Sequence, residues 1–310
     1  MGFIEQAFKG KNNWWRYLLT LLFTITGWQI LGIIPLTLTA FLHSENIEEF
    51  YRAGENNFIG LGINNNLYLL GILLMFAIGF IFLLTGIRTF HKRSINTVVT
   101  ARLKFDWSRF FYAFALWSFF ALLFILFDYL NHPSDFVWNF NLVPFFLLVI
   151  ISIVLMPFQT SFEEILFRGY LMQGVGILSR NRWVPLLLSS VIFGLLHAYN
   201  PEIEKLGYIL IMYYIGTGLL FGMVTLLDEG LELSMGMHAA NNIVASIFIT
   251  TNWTVFQTDA LFIDQSEPNL GMLMYIPLFI IYPIILFLLY KKYKWHDWVE
   301  KLTGKVVEIE

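Results

Sequence analysis

Long apolar runs without a single charged residue are the feature that most constrains how this chain can fold. A helix needs about 20 such residues to cross the ~30 Å hydrocarbon core of a bilayer. Helices and closed barrels are the structures that cross it, because every backbone polar group must be hydrogen-bonded within the protein. The sequence therefore predicts an all-α polytopic membrane protein with about eight transmembrane helices. The candidate spans are residues 17–42, 67–87, 110–127, 142–162, 183–200, 206–227, 233–251 and 270–290.

Composition supports the same class and excludes several others. Charged residues make up 13% of the chain, about half the ~25% of a soluble domain. The chain has no cysteine, which excludes disulfides, thiolate metal sites and cysteine nucleophiles. Its net charge of −3 gives no indication of a nucleic-acid partner. The polar connections are too short for a soluble domain, so we expect residues 1–310 to form a single membrane domain.

The distribution of positive charge predicts the orientation of the chain in the bilayer. Lys and Arg concentrate in the cytoplasmic loops of membrane proteins. With the N-terminus inside, 17 of the 19 Lys and Arg residues fall in inner segments, and only Arg52 and Lys205 lie outside. An error of one span in the middle of the chain would destroy this bias. We therefore expect a multi-pass protein of the cell membrane, surrounded by the lipid bilayer, with both termini cytoplasmic.

The first of three polar groups is Glu163-Glu164-x-x-x-Arg168, directly after the fourth apolar span. Ionisable residues at membrane depth are energetically costly and usually functional. At about 100° per residue, Arg168 lies about 40° around a helix from Glu164 and about 140° from Glu163. Glu164 is therefore the expected i,i+4 partner of Arg168, which leaves Glu163 free to face another group.

The other two groups place histidines inside apolar helices. Phe193-x-x-x-His197 puts a ring and an imidazole one turn apart in the fifth span. His238-x-x-Asn241-Asn242 puts His238 and Asn242 on one face of the seventh span, and Asn241 is nearly as well placed. Each group alone has a structural explanation, since membrane Asn commonly forms interhelical hydrogen bonds. The occurrence of all three polar groups in one half of the chain favours a functional site.

In this order, the three groups resemble the motifs of the CPBP intramembrane proteases, which include CAAX prenyl proteases and the bacteriocin-immunity (Abi) group. The motifs span residues 163–242, and we expect residues 142–251 to form a four-helix catalytic core. The resemblance implies an eight-helix bundle like that of Rce1, in agreement with the number of candidate spans.

The resemblance also implies a role for each residue of the motifs. Peptide hydrolysis needs an activated water and hydrogen-bond donors for the oxyanion that forms. The implied roles are general base for Glu163, water binding or proton transfer for His197, oxyanion donors for His238 and Asn242, and support for Glu164, Arg168, Phe193 and Asn241.

A zinc mechanism would use some of the same residues. Two histidines and one carboxylate form a standard catalytic zinc shell, so Glu163, His197 and His238 are the candidate ligands. This mechanism leaves Asn242 without a role, and the chain has no His-Glu-x-x-His helix. We therefore favour a metal-free mechanism without a cofactor, and zinc remains the alternative.

Other protease classes lack their motifs in this sequence. There is no Gly-x-Ser-Gly for a serine enzyme and no Gly-x-Gly-Asp for an aspartyl one. The acidic pair Asp228 and Glu229 falls in a predicted cytoplasmic loop, where we expect both residues to be solvated helix caps. Neither class is supported.

The predicted function is an intramembrane endopeptidase that acts on a membrane-associated peptide or protein. In eukaryotes the resemblance would imply removal of three residues from a prenylated C-terminus, whereas here we expect a bacterial plasma-membrane enzyme. The alternative is a non-catalytic scaffold or self-immunity protein that binds a partner, and a transporter is a weaker third because no inverted repeats are visible.

The depth of the predicted site residues requires an irregular helix. By helix rise, Glu163 lies about 30 Å from the outer start of its span, whereas His197 lies about 20 Å above the cytoplasmic start of its own span. We therefore expect the helices to start at different depths. The sequence also allows the fourth span to continue as a helix through residue 178, with residues 163–178 turning back into the protein and with Pro157 or Gly169 as the candidate place of a break.

Overall fold

The computed structural model describes residues 1–268 and 275–308. Within this part of the chain most residues are helical, and the strands are short. The chain is a polytopic membrane protein of the all-α class, as the sequence predicts. Five helices are both long and apolar enough to cross a bilayer: Trp14–His43, Asn65–Phe90, Trp107–Asn131, Leu142–Ser179 and Leu210–Asp228.

The N-terminal half contains three of these helices. Asn64 and Asp106 cap two of them, because each side-chain oxygen accepts backbone N–H groups of the first helical turn. The elements are a 3₁₀-helix at Ile4–Lys9, α1 (Trp14–Ile25), a π-helical segment at Thr26–Leu31, α2 (Ile34–His43), α3 (Ile47–Gly54), α4 (Asn65–Phe90), α5 (Asn96–Val99), α6 (Trp107–Asn131), a 3₁₀ turn at Pro133–Asp135 and β1 (Phe136–Trp138).

The C-terminal half contains the helices that carry the three motifs. Its elements are α7 (Leu142–Glu164), a π-helical segment at Ile165–Leu171, α8 (Met172–Ser179), α9 (Trp183–Leu196), a 3₁₀ turn at His197–Tyr199, α10 (Pro201–Leu206), α11 (Leu210–Asp228), α12 (Glu232–Phe248), β2 (Ile249–Thr250), β3 (Phe262–Asp264), a π-helical segment at Pro277–Ile281, α13 (Tyr282–Tyr293) and α14 (Trp298–Thr303).

The helices correspond to the predicted spans with differences in length. The fifth and seventh spans are α9, with 14 residues, and α12, with 17 residues, and both are shorter than a full crossing. The predicted span 270–290 begins outside the described residues, and its described part is helical through Tyr290. A total of eight membrane crossings therefore stays a prediction.

Both termini lie at the same end of the bundle. Arg182, between α8 and α9, binds the carboxylate of Glu5 at 2.8 Å, and its N–H donates to the carbonyl oxygen of Gly304 at 3.0 Å. The N–H of Lys11 donates to His91, just after α4, at 2.9 Å. These contacts gather the N-terminal 3₁₀-helix, the C-terminal segment and the loops after α4 and α8 into one layer.

The remaining loops meet at the opposite end. There β1 pairs antiparallel with β3, and β2 pairs parallel with β3. Asn66, at the start of α4, donates to the carboxylate of Asp259 at 2.8 Å. The N–H of Val255 donates to Glu202 in α10 at 3.3 Å. Successive helices therefore run alternately between the two ends.

The predicted break in the fourth span is wrong. The helix is continuous from Leu142 to Ser179, with Pro157 inside α7 and Gly169 inside the π-helical segment. Gly169 allows a close approach of two backbones, since a Cβ atom there would lie 2.9 Å from the carbonyl oxygen of Val98.

The continuous helix explains how Glu163 and His197 reach the same depth. The helix runs 16 residues beyond Glu163 to Ser179, about 24 Å, and α9 then returns 14 residues from Trp183 to His197, about 21 Å. The expected mismatch arose because the fourth span was taken to end near Glu163.

The prediction that Asp228 and Glu229 are solvated caps is wrong for Asp228. The Asp228 side chain is buried, and its carboxylate accepts hydrogen bonds from Arg102, Arg109 and the indole of Trp295. Glu229 is half-buried and accepts the N–H of Phe3. Segments distant in the sequence cover this loop, and a local pattern cannot show that.

Candidate active site

The three motifs meet where α7, α9 and α12 come together around the π-helical segment. Glu163 and Glu164 end α7, and Arg168 lies one turn later. Phe193 lies in the last turn of α9, His197 follows directly after this helix, and the third motif lies within α12. A π-helical turn inside an α-helix often marks a functional site, because the extra residue changes where side chains point.

Glu164 and Arg168 form a fully buried ion pair. Arg168 Nη1 donates to Glu164 Oε1 at 2.8 Å, and both side chains have no exposed surface. This is the i,i+4 pair that the spacing predicts. Arg168 Nη2 also donates to the carbonyl oxygen of Gly218 at 3.4 Å, and the guanidinium lies 4.2 Å from the ring centroid of Phe193. The pair fixes α7, α9 and α11 relative to one another.

His238 lies between the two adjacent glutamates. Its Nδ1 is 2.8 Å from Glu164 Oε1, and its Nε2 is 3.6 Å from Glu163 Oε2. The ring packs edge-on to Phe193 at 6.1 Å and tilted to Phe221 at 5.4 Å between centroids. Because a carboxylate only accepts, Glu164 fixes a proton on Nδ1 of His238.

His197 also packs against Phe193, with ring centroids 4.7 Å apart. Its Nδ1 is 2.7 Å from the carbonyl oxygen of Phe193, and its ring stacks on Tyr214 with centroids 4.2 Å apart. A carbonyl oxygen only accepts, so the proton of the neutral ring is on Nδ1, and Nε2 carries a free lone pair.

The two asparagines occupy different positions. Asn242 Nδ2 donates to Gln159 Oε1 at 2.8 Å, and Gln159 Nε2 donates in turn to Glu163 Oε1 at 2.6 Å. Asn241 accepts from the indole of Trp117 at 3.2 Å and donates to Asn242 Oδ1 at 3.0 Å. The structure therefore joins Asn242 to Glu163 through Gln159 and places Asn241 one step further away.

Sequence reasoning missed three residues of the site: Gln159, Trp117 and Tyr214. Gln159 had a usable signal, because a polar residue one turn before Glu163 inside an apolar span is itself unusual. Trp117 and Tyr214 had none, since aromatic residues are common throughout these helices.

The two acidic side chains differ in access. The Glu163 side chain is 12% exposed, whereas that of Glu164 has no exposed surface. Glu163 is therefore the more accessible of the two carboxylates. Over residues 1–268 and 275–308, no three His, Asp or Glu side chains are grouped closely enough to hold a metal ion.

Comparison with known proteins gives one family and one relative. The family model "Type II CAAX prenyl endopeptidase Rce1-like" matches residues 140–244, which contain all the motif residues. The chain is 30% identical over 249 residues to the uncharacterized protein YyaK of Bacillus subtilis (strain 168), covering 80% of this chain and 82% of that protein. No solved structure matches the chain.

Proposed function

The chain belongs to the Rce1-like family of type II CAAX prenyl endopeptidases, and from this premise we propose that it hydrolyses a peptide bond in a membrane-associated peptide or protein. The observation that carries the proposal is the position of Glu163. Its Oε2 is 3.6 Å from His238 Nε2, and the other ring nitrogen of His238 is held by buried Glu164. A water about 2.8 Å from both atoms would be positioned for attack.

In this mechanism, Glu163 acts as the general base. It takes a proton from the water as the water oxygen attacks the substrate carbonyl carbon. The proton then passes to the leaving amine as the C–N bond breaks. His197 supports the transfer, because the free lone pair on its Nε2 can accept a hydrogen bond from the water or the amine.

His238 acts as a donor to the oxyanion. Glu164 binds Nδ1–H, so His238 can donate from Nε2 only when both nitrogens are protonated. The charge balance of the site supports this state. The two carboxylates of Glu163 and Glu164 are then matched by Arg168 and the imidazolium, so that no net charge is buried.

Asn242 is the second oxyanion donor in this proposal. One of its two N–H groups binds Gln159, and the other remains for the substrate. Loss of one such donor typically lowers the rate about 10²–10³-fold. The mechanism uses no metal or cofactor, and it differs in this respect from the zinc alternative.

The experiment that tests the function compares peptide termini in cell membranes. Membranes are prepared from cells that carry wild-type protein, Glu163→Gln or Glu204→Gln, at matched protein levels. Glu204→Gln is the matched control because Glu204 is exposed on α10. We expect new termini with the wild type and the control, but none with Glu163→Gln. The cleaved sequences then identify the substrate.

The opposite result distinguishes the scaffold or immunity alternative. If all three membranes contain the same termini while Glu163→Gln keeps a cellular phenotype, the protein acts by binding a partner. Catalysis by Glu163 would then be the wrong explanation.

A further inference from the structure

A continuous chain of hydrogen bonds reaches Glu163 from the neighbouring helix α6. Trp117 Nε1 donates to Asn241, Asn241 donates to Asn242, Asn242 donates to Gln159, and Gln159 donates to Glu163 Oε1. The four distances are 3.2, 3.0, 2.8 and 2.6 Å in that order. The chain links α6, α12 and α7 through side chains alone.

The first and last members of this chain determine its direction. An indole nitrogen only donates and a carboxylate only accepts, whereas an amide does both and can be placed either way round. With Trp117 at one end, each amide has one orientation in which every contact joins a donor to an acceptor. The chain therefore ends with an N–H directed at Glu163.

Gln159 is the member that contacts Glu163, and because Gln159 is buried, the loss of this hydrogen bond would be costly. Its side chain is 3% exposed, so both ends of the amide need partners within the protein. Asn242 supplies the donor for Oε1, and Glu163 supplies the acceptor for Nε2. A rotation of the Glu163 carboxylate that moves both oxygens away from Gln159 would leave a buried N–H without a partner, which costs about 1–3 kcal/mol in folded proteins.

We propose that Gln159 is a positioning residue that selects Oε2 of Glu163 as the catalytic base, and this inference rests on the function proposed above. The Gln159 N–H occupies Oε1, while Oε2 faces His238 Nε2 at 3.6 Å. The proton taken from the water therefore goes to Oε2, and the water oxygen forms the new bond to the substrate carbonyl carbon. The same proton then leaves Oε2 for the amine when the C–N bond breaks.

An infrared measurement tests this contact without requiring activity. On acidification, the purified protein in lipid gives a carbonyl band for protonated Glu163, identified by its absence in Glu163→Gln. A hydrogen bond to the carbonyl oxygen lowers the frequency of this band. We expect Gln159→Met, which keeps the side-chain length without an N–H, to move the band to higher frequency. An unchanged band would overturn the proposal.

Two further variants control the measurement. Gln265→Met makes the same change at an exposed residue directly after β3 and should leave the band unchanged. Trp117→Phe removes the fixed donor without touching Glu163 and should move the band in the same direction by a smaller amount. It also provides the test if Gln159→Met fails to fold, and an unchanged band in Trp117→Phe then contradicts the proposal.

Peptide release gives a second readout once a substrate is known. We expect Gln159→Met to lower kcat by about 10-fold to 10²-fold with little change in KM, because the base is misplaced while the substrate still binds.

The two readouts separate the inference from the proposed function. A shifted band with no peptide release by any variant, wild type included, supports the contact and overturns the hydrolase. Peptide release that is lost in Glu163→Gln, with the same band, the same kcat and the same KM in Gln159→Met as in the wild type, supports the hydrolase and overturns the role of Gln159.

Discussion

Glu163 and Glu164 are neighbours in the sequence but have different surroundings. Glu164 Oε1 receives both Arg168 and His238 at 2.8 Å, and its side chain is completely buried. Glu163 is partly exposed, and it contacts Gln159 and faces His238. Glu164 therefore orients His238, and Glu163 is the more accessible carboxylate, to which the proposed mechanism assigns the role of base.

Removal of Arg168 should strongly destabilise the protein. Arg168→Met leaves Glu164 as a buried carboxylate without its main counter-charge, which typically costs about 3–5 kcal/mol. We expect a clearly lower unfolding temperature for the purified protein in detergent.

The double variant Glu164→Gln/Arg168→Met is the control for this prediction. It removes both charges together and should recover part of the stability lost in Arg168→Met, because no unpaired charge is buried. Equal unfolding temperatures for Arg168→Met and the wild type would contradict the role of the pair.

At this scale, local spacing predicted some contacts and could not predict others. The Glu164–Arg168 pair follows from i,i+4 geometry within one helix. Spacing does not show whether Asn241 or Asn242 is the residue linked to Glu163, because both lie near His238 on α12. Trp117 on α6 and Gln159 on α7 decide it, and the sequence does not show which helices are neighbours.

The long helix from Leu142 to Ser179 is the element that assembles the site. It contains 38 residues, more than one bilayer crossing requires. Its apolar part was visible in the sequence, as was its continuation to about residue 178. The π-helical segment could not be seen in the sequence, because Glu164, Arg168 and Tyr170 are polar groups whose partners come from other elements.

The packing of α12 against α6 predicts the effect of a small substitution. A Cβ atom at Gly236 would lie 2.3 Å from the carbonyl oxygen of Phe110 and 3.1 Å from the nitrogen of Phe114. These are backbone atoms of α6, so the two helices must separate. We expect Gly236→Ala to lower stability by about 1–3 kcal/mol in thermal unfolding.

Gly54→Ala is the matched control for this prediction. A Cβ atom there would lie 3.5 Å from Phe58, an ordinary contact, and Gly54 is exposed at the end of α3. Its unfolding temperature should match that of the wild type. If the two glycine variants behave alike, close packing between α6 and α12 is not important for stability.

Glu202 in α10 should make stability depend on pH. Its carboxylate accepts the N–H of Val255, and burial raises the pKa of this carboxyl above its usual value of 4.5. The folded protein therefore holds the proton more tightly than the unfolded chain. The stabilising contribution is fully present below the unfolded pKa and is lost as the pH rises through the folded pKa.

Glu202→Gln tests this pH dependence. The variant cannot ionise at this position, so we expect the wild type to lose stability relative to Glu202→Gln as the pH rises above 4.5, the usual pKa of this carboxyl. Thermal unfolding of both proteins across this range measures the difference. Parallel curves would show that Glu202 does not contribute.

At the scale of the whole molecule, the contacts at the two ends agree with the alternation of spans in the sequence. Both termini lie with the loops after α4 and α8. We propose, from the distribution of Lys and Arg, that this end is cytoplasmic. The burial of Asp228 and of the N-terminal residues Phe3 and Ile4 depends on contacts between distant segments, and therefore could not be predicted.

Cysteine labelling tests this orientation directly, because the chain has no cysteine of its own. Leu103, which is 99% exposed, lies between α5 and α6 at the end with both termini, and Tyr51, which is 69% exposed, lies on α3 at the opposite end. In intact cells, a membrane-impermeant maleimide should label Tyr51→Cys and should label Leu103→Cys only after permeabilisation. The reverse pattern would invert the orientation.

The most direct test of the proposed hydrolase uses purified protein in lipid, with the substrate identified from cell membranes and a metal chelator present. The measured quantity is the release of new peptide termini by the wild type and by Glu163→Gln. The mechanism predicts release by the wild type in chelator and none by Glu163→Gln. Equal release by both proteins would contradict it, and so would a wild-type activity that chelator abolishes and zinc restores.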